Sequence, residues 1–133
     1  MKRAVVKVAA AVIEKKGYIL IGQRQRNDRH PLKWEFPGGK VEAGESPRSG
    51  LARELREELG IEARIGPEIE RYEHSYRNRA TLLLIFFRVS EFIGEPKSLA
   101  FERIDWVERQ NLPLYDFLDG DIAFVRRLAA KDV

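Results

Sequence analysis

At 133 residues the chain is long enough for one domain with its own core and too short for two ordinary ones. Hydrophobic residues at 44% against charged residues at 34% fit a folded, soluble chain and exclude both disorder and a membrane-embedded protein. The net charge of +3 suits a polyanionic ligand without demanding a nucleic acid, and the lack of cysteine rules out disulfides, thiolate metal sites and thiol nucleophiles.

Ala4 to Ile13, rich in Val and Ala, and Tyr18 to Ile21 read as two strands joined by turn chemistry at Glu14-Lys15-Lys16-Gly17, so a hairpin is expected. Lys2-Arg3 ahead of an apolar stretch has the charge order of a signal peptide. Lys7 interrupts that stretch and Glu14-Lys15-Lys16 follows it directly, which is the flank of a hairpin rather than a cleavage site, and a cytoplasmic location is expected. No apolar run reaches the length of a transmembrane helix. Gln23 to Lys33 is a polar loop passing through His30-Pro31 to Trp34-Glu35-Phe36, after which Pro37-Gly38-Gly39 is expected to bar regular structure and free the backbone for close approach to a ligand.

Ser46-Pro47 marks a helix start, with Ser as N-cap and Pro at the first helical position, and Gly60 is the matching stop. Ile61 to Ile65 and Glu70 to Tyr76 read as strands, followed by a tight turn around Arg77-Asn78. Thr81 to Phe87 is apolar at every residue after the threonine, the mark of a strand covered on both faces, so the sheet must lie between layers. Gly94-Glu95-Pro96 breaks the chain, Ile104 to Val107 is a further strand, and Ile122 to Ala130 has helical spacing introduced by Asp119-Gly120-Asp121. There are no internal repeats or low-complexity tracts, so residues 1–133 are expected to form one domain.

On a helix turning about 100° per residue, Glu54, Glu57 and Glu58 share one arc beside an apolar stripe of Leu51, Leu55 and Leu59. The bland alternative is a surface helix whose glutamates pair with Arg53 and Arg56. Clustered carboxylates repel, whereas a hard divalent cation turns that repulsion into binding energy. Glu45 and Arg53 are placed to brace the ligating acids, and the Gly38 carbonyl is free to serve as a further oxygen ligand. All-oxygen ligation with room for water and phosphate suits Mg²⁺, with Mn²⁺ the other candidate. Gly38-Gly39-Lys40-Val41 does not end a phosphate-binding P-loop, because the earlier glycine is missing and Val41 stands where a hydroxyl is needed. Arg24, Arg26, Arg29 and Lys33, with Arg77 and Arg79, form either a positive collar for phosphates or a solvated rim.

Gly39, Glu45, Arg53-Glu54-Leu55, Glu57-Glu58 and Gly60-Ile61 fill every specified position of the Nudix box, so the chain is identified as resembling the Nudix hydrolases. The lead-in Trp34 to Lys40 resembles the MutT-like branch. The resemblance implies an α/β fold, a mixed sheet sandwiched between helices, and Mg²⁺-dependent hydrolysis of a nucleoside triphosphate to monophosphate and pyrophosphate. It implies that Glu57, Glu58 and the Gly38 carbonyl bind metal, that Glu54 is general base or shares a metal, and that Arg53 and Glu45 orient the acids. Arg24, Arg29 and Lys40 become candidates for phosphate or substrate contact, with Pro37 and Gly38 in the same loop. Base recognition falls to Glu35-Phe36 and to Asp121, for which helix N-capping is the alternative; Tyr76 and Phe36 are candidates to stack on a base or to pack in the core. His74 receives no role.

Many relatives carry an additional acidic ligand about six residues before the Trp of the last strand; here that place holds Ala100, with Glu102 the nearest carboxylate. The substrates implied are 8-oxo-dGTP or CTP-type nucleotides. Hydrolysis of another nucleoside diphosphate-linked compound or an RNA 5′ end is an alternative, and a non-catalytic ligand-binding module is a third reading. The partner expected is the nucleotide alone, with no stable nucleic-acid complex and no membrane, the chain acting as a monomer or homodimer.

Overall fold

The structure, a computed structural model, describes residues 4–77 and 79–133. Strands β1 (Val5–Lys15) and β2 (Tyr18–Gln23) form the expected hairpin. Glu14 and Lys15 belong to the ladder rather than to the turn, which narrows to Lys16 and Gly17 at φ +53° and +83°. Two successive left-handed residues match the right-handed twist of the strands they join.

After the polar loop come β3 (Trp34–Glu35) and β4 (Gly38–Lys40), then α1 (Pro47–Leu59), β5 (Glu62–Arg64), β6 (Glu68–Ser75), β7 (Thr81–Val89), β8 (Glu91–Ile93), β9 (Arg103–Glu108) and α2 (Ile122–Ala129). The main sheet runs β3-β2-β1-β7-β6, with β4 beside β1 and β9 beside β2. Among the described strands β1 and β7 pair in parallel while the other ladders of this sheet are antiparallel, so the sheet is mixed.

Strand periodicity of two divides the core. Odd-numbered Ala9, Ala11 and Ile13 of β1, with Ile85, Phe87 and Val89 of β7, pack against Leu51, Leu55 and Leu59 of α1. Even-numbered Ala10, Val12, Leu84 and Phe86 pack against Phe124, Val125 and Leu128 of α2. The in-register pairs Ala9 with Ile85 and Ala10 with Phe86 keep like faces together. The apolar run of β7 is thus buried from Leu84 to Phe87 between the two helical layers, and the expected sandwich is realised.

Helix α1 begins and ends where its caps dictate. Ser46 Oγ accepts the Ser49 N–H at 3.1 Å, Pro47 opens the first turn, and Gly60 ends it at φ +70°. Ser46→Ala should lower stability by about 1 kcal/mol, read as a shift of the urea midpoint.

The expectation that Pro37-Gly38-Gly39 bars regular structure is corrected, because Gly38–Lys40 is strand β4, paired antiparallel with Val8 to Ala10. Glycine is needed there for closeness: a Cβ on Gly38 would lie 2.1 Å from the Ala9 carbonyl oxygen. Strand β8, which pairs with β5, and a 3-10 turn over Arg109–Leu114 lack any sequence expectation. Of the expected turn at Arg77-Asn78, Asn78 lies outside the described residues.

Candidate active site

Arg53 organises the acidic face of α1. Its Nε and Nη2 donate to the two Glu45 carboxylate oxygens at 2.7 and 2.9 Å, its Nη1 reaches Glu54 at 3.1 Å and Glu57 at 3.3 Å, and Nη2 also meets the Lys40 carbonyl at 3.2 Å. This fork, with the Glu42 backbone N–H, holds the Glu45 carboxyl down to about 2. Arg56 pairs instead with Glu62, beyond the end of the helix, so the surface-helix reading holds for the pairing of Arg53 with Glu54 and Glu57 and fails for Arg56, and it leaves the fork from Arg53 to Glu45 unexplained.

Strand β4 meets this face through its backbone. Ala11 N–H donates to the Pro37 carbonyl and Val41 N–H to the Lys7 carbonyl, so alternation along the antiparallel ladder leaves Gly38 and Lys40 turned away from β1. Gly38 N–H accordingly donates to Glu58 Oε1 at 3.0 Å. A Cβ on Gly39 would lie 2.6 Å from the Glu54 carboxyl carbon, so glycine leaves the space that this carboxylate occupies. Burial, reinforced by the neighbouring Glu35, Glu54 and Glu57 charges, raises the Glu58 carboxyl to about 9, and burial also raises Glu54.

Beside these acids opens a cavity of about 720 Å³. Its apolar wall is Val6, Val8, Leu82 and Leu84, the even-numbered face of β1 and β7. Helix α2, with eight residues and a length of about 12 Å, is too short to cover that whole face. Arg29, Lys40 and Arg79 lie around the opening, while Glu35 and Asp121 line the interior.

Burial lifts the Glu35 carboxyl to about 7, opposed by Arg24, and lifts Asp121 to about 8, with the Glu35 charge adding to the effect. Asp121 occupies the N-cap position of α2, but its side chain makes no capping bond. The folded protein keeps the Asp121 proton up to about pH 8, whereas the unfolded chain releases it near 3.8, so this residue costs stability increasingly as pH rises through that window. Asp121→Asn should therefore raise stability by about 2 kcal/mol near pH 8 and by progressively less toward pH 4, measured by urea unfolding across the range.

Several expected contacts fall elsewhere. Arg24 lines the cavity, but each of its nitrogens already has a protein partner: Nε donates to the Arg29 carbonyl at 2.6 Å, Nη1 to Glu35 at 3.2 Å and Nη2 to Asp28 at 3.0 Å. Pro37 is buried, outside the cavity lining. Phe36 touches the cavity but belongs to the core, stacked on Phe117 at 5.3 Å between ring centroids. Lys33 pairs with Asp116 at 2.8 Å, and Arg26 lies 3.7 Å from Glu102, whose own backbone N–H binds Gln23. Neither Ala100 nor Glu102 lines the cavity.

His30 and Tyr76 stand at its mouth, and His74 packs against Tyr76. His30 carries no motif signal; its only mark in sequence is a place in the polar loop before Pro31.

Among the described residues no three acidic or histidine side chains converge closely enough to enclose a metal ion. The donor chemistry nevertheless fits a hard divalent cation: oxygen donors alone, a glycine space in front of Glu54, and carboxyls whose charged forms are opposed by burial and mutual repulsion.

A model of the NUDIX domain matches residues 3–128. A protein of Haemophilus influenzae named 8-oxo-dGTP diphosphatase is 36% identical over 129 residues, covering 96% of this chain and 94% of its own. A protein of Escherichia coli strain K12 named CTP pyrophosphohydrolase is 35% identical over 125 residues, covering 94% and 92%. The solution structure of the E. coli ORF135 protein superposes with a TM-score of 0.87 at 34% identity, covering 98% of this chain and 93% of that one.

Proposed function

Since the chain belongs to the NUDIX domain family, we propose that it is a hydrolase that cleaves a nucleoside triphosphate to the monophosphate and pyrophosphate, acting on 8-oxo-dGTP or CTP-type nucleotides. The observation that carries this reading is the junction at Gly38-Gly39, where the acidic face of α1 meets a cavity of about 720 Å³, in the size range of small-ligand sites. Nudix hydrolases generally use a divalent metal. Here Glu57, Glu58 and the Gly38 carbonyl are the groups that would hold it, with Mg²⁺ the ion suited to oxygen donors and Mn²⁺ the substitute. When bound there, such an ion would supply charge neutralisation for the phosphates and a lowered pKa for water.

The chain's own groups supply the rest. Arg53 holds Glu54 and Glu57 in place while anchored on Glu45, so the helix acids keep their positions as substrate enters. Burial lifts Glu54 above the usual carboxylate range, toward the basicity that a proton acceptor for the attacking water needs. Arg29 and Lys40 meet the phosphates. Glu35 and Asp121 read the base edge: Arg24 donates to Glu35 and opposes the burial that lifts that carboxyl to about 7, while buried Asp121, lifted to about 8, holds a proton and donates. Asp121 thus serves recognition rather than capping.

We read residues 1–133 as one catalytic domain, working as a monomer or homodimer in the cytoplasm on free nucleotides. No helix among the described residues is long and apolar enough to cross a membrane.

The test is product release with Mg²⁺ across normal, oxidised and methylated nucleotides. Pyrophosphate from an 8-oxo-purine or cytidine triphosphate is expected. Phosphate as the first product, or no turnover of any nucleotide, sinks the reading.

A further inference from the structure

Two rings at the mouth of the cavity have no part in the hydrolytic chemistry described above. Tyr76, just beyond β6, is held from two directions: its hydroxyl accepts the Gly120 N–H at 3.2 Å, and His74 packs edge-on with ring centroids 4.6 Å apart at 77°. His30, from the loop between β2 and β3, rests against the same ring with centroids 4.9 Å apart and planes tilted by 37°. Tyr76 is thus a fixed surface, and His30 extends it.

The loop spends backbone freedom to place His30 there. His30 and Leu32 both take left-handed conformations, at φ +52° and +62°. Residues with side chains hold that region only where their surroundings impose it. The restraints are visible: Arg24 Nε donates to the Arg29 carbonyl at 2.6 Å, Leu32 N–H to the Arg24 carbonyl at 3.2 Å, and Gln23 Nε2 to the Leu32 carbonyl at 3.1 Å. Arg24 also binds Glu35 inside the cavity at 3.2 Å, so one guanidinium braces both the loop and an interior carboxylate.

We propose that His30 and Tyr76 form the aromatic face against which the substrate's nucleobase lies, with His30 a base-binding contact presented by the loop that Arg24 braces. The proposal rests on the nucleotide reading above and adds a division of labour to it. Every base has a π-face, so the ring pair recognises that a base is present, whatever its identity. Glu35 and Asp121, reaching only the polar edge, select among bases. The two rings already touch, so the base lies along them rather than between them, with Val8 and Leu82 supplying apolar surface.

His30→Ala should raise KM for CTP and 8-oxo-dGTP by about tenfold while kcat stays within about threefold, and His30→Phe should restore KM because the ring rather than the imidazole nitrogens makes the contact. A KM within about twofold of the wild type in His30→Ala, or no rescue by His30→Phe, overturns the proposal. A readout on the wild-type protein guards against a variant that fails to fold. The His30 ring-proton resonances should move on titration with CMP and remain in place with ribose 5-phosphate, whereas equal shifts with both ligands, or none with CMP, overturn it. Failure of the wild type to hydrolyse any nucleotide removes the hydrolase reading and this proposal with it, an outcome separate from normal turnover with an indifferent His30.

Discussion

Glu58→Gln should cut kcat by about a thousandfold with Mg²⁺ at saturating nucleotide, while the protein remains folded. Gln keeps the volume of Glu58 and an oxygen that can accept the Gly38 N–H, now made at 3.0 Å, but it cannot carry the negative charge that a cation requires. Loss of activity without loss of fold is therefore the signature of a ligand rather than of a structural carboxylate.

Stability gives an independent reading of the same variant. The folded protein holds the Glu58 proton up to about pH 9, while the unfolded chain releases it near 4.5, so without a cation wild-type stability falls as pH rises through that window. The variant escapes this cost and should be at least as stable as the wild type near pH 8. Adding Mg²⁺ should raise the wild-type Tm and leave the variant's nearly unchanged, because only a state that binds the ion gains from it. Near-normal turnover, or equal Mg²⁺ stabilisation of both proteins, would falsify the assignment of Glu58.

Gly38→Ala should be the most damaging single-methyl change in the protein, costing more than about 4 kcal/mol or preventing folding. The added carbon would stand 2.1 Å from the Ala9 carbonyl oxygen and 2.8 Å from the Ala10 Cα, at φ +152°. Both neighbours are backbone of β1, a central strand paired with β4 on one side and β7 on the other, so neither can retreat. Gly39→Ala provides the contrast. The three atoms nearest its Cβ would all belong to the Glu54 carboxyl, 2.6 to 2.8 Å away, the end of a side chain that can rotate. That variant should fold, yet lose turnover by about a hundredfold through a displaced acid. Circular dichroism with activity on both variants separates them; a folded, active Gly38→Ala would refute the steric account.

Local features were readable in advance because their causes are local. Ser46, Pro47 and Gly60 bound α1 through caps that reach three or four residues, and Leu51, Leu55 and Leu59 set its buried stripe. The unbroken apolar run in β7 announced two covering layers for the same kind of reason. Strand β8 and the strand character of Gly38–Lys40 were not readable, since each exists through a partner distant in sequence, Glu62–Arg64 and Val8 to Ala10 respectively.

The candidate site divides in the same way. The acids of α1 could be placed on one helical face from their spacing, and the brace from Glu45 to Arg53 followed from the motif they share. Arg24 could not be assigned from sequence, because its role depends on Glu35, Asp28 and the Arg29 carbonyl consuming its donors. His30 was invisible until its loop brought it against Tyr76.

What the residues decided by themselves is the arrangement of the carboxylates on a capped helix next to a glycine pair, since helical periodicity and capping act within a few positions of the chain. What only the tertiary structure decided is which of those carboxyls are buried, which arginines are already spent, and that Asp121 faces a cavity instead of capping α2. Burial and pairing are properties of two segments in contact, so they arise only when β1, β4, β7 and the helices are brought together.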